Sequence, residues 1–135
     1  MIRIGEAARL SGVSAKLIRY YESAGLLSPA HRHANGYRLF DERDVHELRF
    51  IKRARLLGFP IKQIDELLKL WRDKRRPSRK VRALAEMHKQ SIVARIDAHR
   101  AITKVLSRLI AACRGDDRPD CPILDELSSR QTGGQ

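Results

Sequence analysis

Apolar positions recur with helical spacing along most of this chain, and strand-like alternation is nearly absent. Ile4, Ala7, Ala8 and Leu10 predict a short first helix. Ser11-Gly12-Val13 predicts a tight turn. Ser14 then stands where its side chain can accept from the free backbone N–H groups of a second helix, running from 14 to about 24. Leu17, Ile18 and Tyr21 give that helix an apolar face, and Gly25 is a suitable stop.

Residues 30–38 contain Asn35-Gly36, a pair that favours a hairpin turn with positive φ. Two short strands around it would form a small wing, the only β structure expected. Asp41 is placed to cap a third helix reaching about Leu57, which Gly58 ends. Pro60 opens a fourth, with Ile61, Ile64, Leu67, Leu68 and Trp71. The basic stretch 72–77 reads as a hinge closing a domain of residues 1–71.

Residues 78–113 contain neither Pro nor Gly and predict one helix. At about 1.5 Å per residue it spans on the order of 50 Å. A heptad seam runs through Ala85, Lys89, Ile92, Ile96, His99, Thr103, Leu106, Ile110 and Cys113. Only its first turns can pack on the N-terminal domain, so a second copy is the expected cover and the chain is expected to be a homodimer. Gly115 ends the helix, a loop and short helix fill 114–129, and 130–135 reads as a disordered tail. The fold class is mainly all-α: a winged helix–turn–helix domain with a small β wing, and a long dimerisation helix.

Charge narrows the function. The formal net charge is +12, and residues 61–82 alone carry nine basic against three acidic side chains. Such clustering is the footprint of a nucleic-acid binder, although charge alone fits a solvated surface equally well. No stretch approaches the ~20 apolar residues of a membrane helix. The N-terminus lacks a signal-peptide core, so the cytoplasm is the expected compartment. No Gly-rich phosphate loop or nucleophile constellation supports an enzyme, and His31-x-His33 is better read as wing polarity than as a ligand set.

A helix–turn–helix offers the outward side chains of its second helix to the major groove. The candidate DNA contacts are Ser14, Lys16, Arg19, Tyr20 and Tyr21, with Arg32, Tyr37 and Arg38 on the wing. Arg bonds guanine edges or phosphates, and Lys is usually a phosphate contact. A plain helical hairpin with solvated cations remains the alternative.

The second motif is CRGDDRPDC, with seven residues between Cys113 and Cys121. The helix dipole favours a thiolate at Cys121, before a helix, and opposes one at Cys113, after a helix. A shared cation would offset that. A structural Zn site generally needs four ligands. Two soft thiolates best match a low-coordinate monovalent ion. Two unrelated cysteines, or a redox disulfide, stay open on these residues alone.

Together these segments resemble the MerR family of regulators. IGEAARLSGVSAKLIRYYESAGLLSP and the following NGYR resemble its helix–turn–helix and wing, and DVHELRFIKRARLLGFPIKQIDELL its second helix–turn–helix. The long helix resembles its antiparallel coiled-coil dimerisation helix. CRGDDRPDCPI resembles the metal loop of the family's copper-efflux regulators of the CueR and HmrR type. That resemblance implies that Cys113 and Cys121 bind Cu(I), with Ag(I) or Au(I) as alternatives, in a linear geometry. It also implies a selectivity role for Ser78, where relatives that sense divalent ions tend to carry Cys. The implied mechanism is a dimer on double-stranded promoter DNA that, on metal binding, distorts an over-long spacer so that RNA polymerase holoenzyme engages both promoter elements. A ligand-independent architectural DNA binder and a thiol-redox sensor are the competing readings.

Overall fold

The computed structural model describes residues 1–27, 31–32 and 36–129, with only the backbone of 31–32. It contains six helices and one two-stranded sheet among those residues: α1 Ile4–Ser11, α2 Ala15–Ser23, β1 His31–Arg32, β2 Arg38–Leu39, α3 Glu42–Leu56, α4 Ile61–Arg72, α5 Ser78–Ala112 and α6 Pro122–Ser128. Asn35 of the expected hairpin turn, and the tail 130–135, lie outside the described residues. The chain divides into two compact units, Met1–Glu86 and Met87–Gln135.

In the first unit α1 packs on α2 and α3, and α3 on α4. Gly12 ends α1 at φ 74°, and its N–H donates to the Ala8 carbonyl at 2.9 Å. A side chain at Gly12 would be strained at that φ, and its Cβ would stand 2.6 Å from Lys52 Nζ. Ser14 caps α2 by accepting from the Leu17 N–H at 3.2 Å. Asp41 caps α3, and the cap is reciprocal: the Asp44 N–H donates to Asp41 Oδ1 at 2.8 Å, and the Asp41 N–H to Asp44 Oδ2 at 3.0 Å. β1 and β2 pair antiparallel, with His31 opposite Leu39 and Arg32 opposite Arg38. Ile2 and Phe40 exchange both backbone bonds at 2.8 Å, which fastens the N-terminus to the end of the wing.

Ala7, Ile18, Leu26, Phe40, Leu48, Ile51, Ile64 and Leu68 form the centre of the core. Burying each Leu, Ile or Phe contributes about 1.5–3 kcal/mol. The apolar face of α2 differs from the expected one: Ile18 and Tyr21 are buried, while Leu17 is 45% exposed. Ile18 and Tyr21 stand three positions apart on one face of the helix, and Leu17, one position before Ile18, lies at the edge of that face.

Arg72, expected in the hinge, is the last residue of α4 and is anchored in the domain. Its Nε donates to Glu47 at 2.6 Å and its Nη2 to the Leu26 carbonyl at 2.7 Å. Asp73 Oδ1 then accepts from the Arg75 N–H in the link to α5. Leu84 of α5 is buried.

In the second unit α5 exposes Val93, Ile96, Ile102, Val105, Leu106 and Ile110 along its length. Its polar seam residues satisfy themselves locally. Thr103 Oγ1 donates to the His99 carbonyl at 2.8 Å, and His99 Nδ1 lies 2.7 Å from the Arg95 carbonyl. A carbonyl only accepts, so that nitrogen carries the proton. Gly115 turns the chain at φ 63° beyond α5, and Cys121 is the N-cap of α6. Among the described residues no helix is long and apolar enough to cross a membrane.

Candidate DNA interface and thiol pair

α2 is pinned to the core by Ile18 and Tyr21, so the opposite face is set outward. Lys16 and Arg19 are exposed on it, and Tyr20 is 51% exposed. Ser14 is also exposed, although its hydroxyl already serves as the helix cap. Tyr21 was expected among the DNA contacts. At 4% exposure it is a core residue instead, with its ring 5.7 Å from that of Tyr20.

The wing divides its residues between two tasks. The side chain of Arg32 lies outside the described residues. Tyr37 is half-buried, and its hydroxyl accepts from Arg3 Nη2 at 2.8 Å. Arg38, expected to reach DNA, is buried and turned inward. Its Nε pairs with Glu22 at 2.5 Å, its Nη1 lies 3.5 Å from Asp44, and its guanidinium sits 4.5 Å from the centre of the Phe40 ring. The physical reason is the pair of carboxylates from α2 and α3, which neutralise it within the fold. Burial pushes the Asp44 carboxyl above its ordinary value, against the Asp41 N–H and the Arg38 charge, which pull it down.

Sequence reasoning passed over Arg3. This exposed residue precedes α1, and its guanidinium stacks 4.2 Å from the centre of the Tyr37 ring. Arg3, Arg19, Tyr37 and Arg38 line one groove of about 410 Å³, floored by Phe40. The Arg3–Tyr37 contact joins residues 34 apart in sequence, and no local spacing announces it.

The helix–turn–helix is braced from α3. Arg49 donates to the Leu10 carbonyl from Nε at 3.2 Å and Nη2 at 3.0 Å. A cation at the C-terminus of α1 complements the helix dipole and satisfies a carbonyl that lacks a helical partner.

Cys113 and Cys121 are both free thiols and half-buried. The first follows α5, its N–H donating to the Leu109 carbonyl at 3.1 Å, and the second caps α6. Between them Asp116 is turned to its own loop, accepting from the Arg118 N–H at 2.9 Å. Among the described residues no three His, Cys, Asp or Glu side chains cluster as a metal-ligand set. Cys113 and Cys121 are the soft donors at the two ends of this loop.

The chain matches two family models: the MerR HTH family regulatory protein over residues 2–71, and MerR, DNA binding, over 45–109. It is 52% identical to the HTH-type transcriptional regulator HmrR of Sinorhizobium medicae, over 94% of this chain and 86% of that protein. It is 36% identical to the HTH-type transcriptional regulator CueR of Salmonella typhimurium, over 94% of this chain and 92% of that one. Among solved structures, the transcription regulator PbrR691 from Ralstonia metallidurans in complex with lead(II) superposes with a TM-score of 0.86 at 30% identity, over 95% of this chain and all of that one. With exposed cations on a braced helix–turn–helix, and family models that together cover residues 2–109, the chain belongs to the MerR family of DNA-binding transcription regulators and is not an enzyme.

Proposed function

We propose that this regulator is gated by a soft monovalent metal ion, Cu(I) or its congeners Ag(I) and Au(I), held by Cys113 and Cys121. It acts as a cytoplasmic homodimer on double-stranded promoter DNA and activates metal efflux or detoxification genes. The observation that carries the reading is the donor set: two free, half-buried thiols flanking the loop 114–120 without a third clustered ligand among the described residues. Zn(II) generally takes four ligands in a closed site, and carboxylate oxygens suit soft ions poorly. The similarity to HmrR and CueR supports a metal response, and the lead(II) complex of PbrR691 marks the divalent alternative. Ser78 starts α5, about 50 Å of helix away from Cys113 in the same chain, so on the family resemblance it is Ser78 of the partner subunit that would offer a hydroxyl where a third thiol would favour a divalent ion.

Cys113 and Cys121 would be the residues that hold the ion, which would supply a soft Lewis acid that favours both as thiolates. Held in this way, the two cysteines would restrain the loop between α5 and α6. α5 runs unbroken from Ser78 to Ala112 and gives that local change a rigid element to act on. The output is a change in DNA shape that brings both promoter elements to RNA polymerase holoenzyme, not recruitment. Coupling of this kind is reciprocal: the metal must bind the activating form more tightly than the resting one.

The test is run-off transcription by the reduced protein at buffered free Cu(I), Zn(II) and Pb(II). Activation by Cu(I) alone supports the reading. Activation by Zn(II) or Pb(II) at comparable free concentration overturns the monovalent assignment. Activation by an oxidant without metal would replace it with thiol-redox sensing.

A further inference from the structure

We propose that Arg3 is a DNA phosphate contact, aimed by Tyr37, and that it forms with Arg19 a two-cation clamp on the backbone. The proposal rests on the DNA-binding reading of the family and goes beyond it in assigning a residue outside the helix–turn–helix and wing.

Arg3 stands at the N-cap position of α1 in extended conformation, φ −83° and ψ 169°, and its side chain makes no capping bond. It is exposed, yet its head group is held in place. One face stacks on the Tyr37 ring at 4.2 Å, and Nη2 donates to the Tyr37 hydroxyl at 2.8 Å. Exposed Arg side chains ordinarily lose rotamer freedom on binding, and a guanidinium already stacked on an aromatic face has less to lose. A guanidinium has five N–H donors, and among the described residues the Tyr37 hydroxyl is the only side-chain acceptor for those of Arg3.

Electrostatics decides what the groove attracts. It is lined by Arg3, Arg19 and Arg38, and by one carboxylate, Glu22. Glu22 is engaged by Arg38, whose guanidinium Asp44 also approaches. Arg38 is thus engaged by a partly exposed carboxylate and a buried one, and turned into the fold. Arg3 and Arg19 have no ion-pair partner among the described residues, so they are the groove's uncompensated charges. Arg19 belongs to α2, the helix that a helix–turn–helix presents to DNA. A planar cation with open donors beside that helix suits a bidentate bond to a phosphate. A phosphate contact positions the protein without reading sequence, so Arg3 should act equally on any duplex.

The experiment titrates the full-length, reduced chain onto two duplexes of about three helical turns. One is selected by the wild-type chain from a random pool, and the other is of random sequence. Anisotropy is read at several salt concentrations. Arg3→Ala should flatten the slope of log affinity against log salt by about 0.9, the loss of one phosphate contact, on both duplexes. Arg19→Ala is the internal reference and should also flatten it. Arg3→Lys should keep the wild-type slope, because the charge survives, while binding more weakly than wild type. An unchanged slope in Arg3→Ala beside a flattened one in Arg19→Ala would overturn the proposal and leave Arg3 as a brace for the wing. A slope lost as fully in Arg3→Lys as in Arg3→Ala would also overturn it, by tying the effect to packing on Tyr37. Failure of the wild type to bind either duplex would instead remove the DNA-binding reading underneath.

Discussion

The carboxylate of Glu47 is completely buried, and Arg72 reaches it from the last turn of α4 at 2.6 Å. Arg72 also donates to the Leu26 carbonyl, so one guanidinium ties α3, α4 and the segment after α2 together. Arg43 stands at 3.9 Å from the same carboxylate but is largely exposed. Removing Arg72 leaves a buried charge without its main partner, which costs about 3–5 kcal/mol. Arg72→Met should therefore lower the urea midpoint sharply, and Glu47→Leu added to Arg72→Met should restore much of the loss. A midpoint unchanged in Arg72→Met would show that the buried carboxylate does not depend on it.

Asp44 carries a pH dependence opposite to that of an ordinary paired carboxylate. Burial is the larger influence and raises its folded-state value above 3.8. The folded protein thus holds this proton more tightly than the unfolded chain. The resulting contribution to stability is present below the unfolded value and is lost as pH rises through the folded one. Relative to Asp44→Asn, wild type should lose ground between acid and neutral pH. Urea midpoints of both proteins across that range measure the difference, and a constant difference would contradict it.

The surface and interior cations of the DNA-binding domain should separate in one experiment. Arg19→Ala removes an exposed cation, so binding should weaken and its salt dependence flatten, as for a lost phosphate contact, while melting is nearly unchanged. Arg38→Ala removes the partner of Glu22 and Asp44, so melting should fall first. Thermal melts and anisotropy titrations of the two variants decide it. Equal loss of stability in both would contradict the division.

Local chemistry explains which parts were legible in the sequence. Ser14, Asp41, Gly12 and Gly58 announced the helix ends because capping and positive φ depend on residues near in sequence. The α5 register was legible because nothing interrupts it. Tyr21 and Arg38 misled because residue type alone does not tell an outward side chain from one turned into the fold. The carboxylates that hold Arg38 lie 16 and 6 residues away on two helices. Arg3 was missed for the same reason: its partner Tyr37 comes from the far end of the wing. The paired cysteines were legible as a loop motif, whereas their ligand is a matter of chemistry that spacing constrains only in part.

The exposed face of α5 should be a dimer seam. Ile96 is 43% exposed and Leu106 48%, on a helix whose polar seam residues His99 and Thr103 bond within it. A charge introduced at both positions would have to be desolvated in the pair. Ile96→Asp with Leu106→Asp should give monomers with weak DNA binding, as seen by sedimentation. Unchanged dimers would place the seam elsewhere.

Metal choice is the most exacting test of the thiol pair. Two thiolates and one monovalent ion leave a net negative charge, and burying it is costly without compensating donors. The two sulfurs are only half-buried, which lessens that cost. A divalent ion would be neutralised by the same pair, so charge alone cannot reject Zn(II). Rejection must come from coordination, because Zn(II) seeks four ligands and among the described residues no three His, Cys, Asp or Glu side chains are gathered. Cys113→Ser and Cys121→Ser should each abolish Cu(I)-dependent run-off transcription while leaving DNA binding intact, since both residues lie outside the first unit. In the homodimer, Ser78→Cys should bring a soft donor from the partner subunit and broaden the response toward divalent ions. Full Cu(I) activation in either Cys→Ser variant would rule out a two-thiolate site. Strong Zn(II) activation of the wild type would show that the protein recruits further ligands, and Ser78→Cys would then have little left to add.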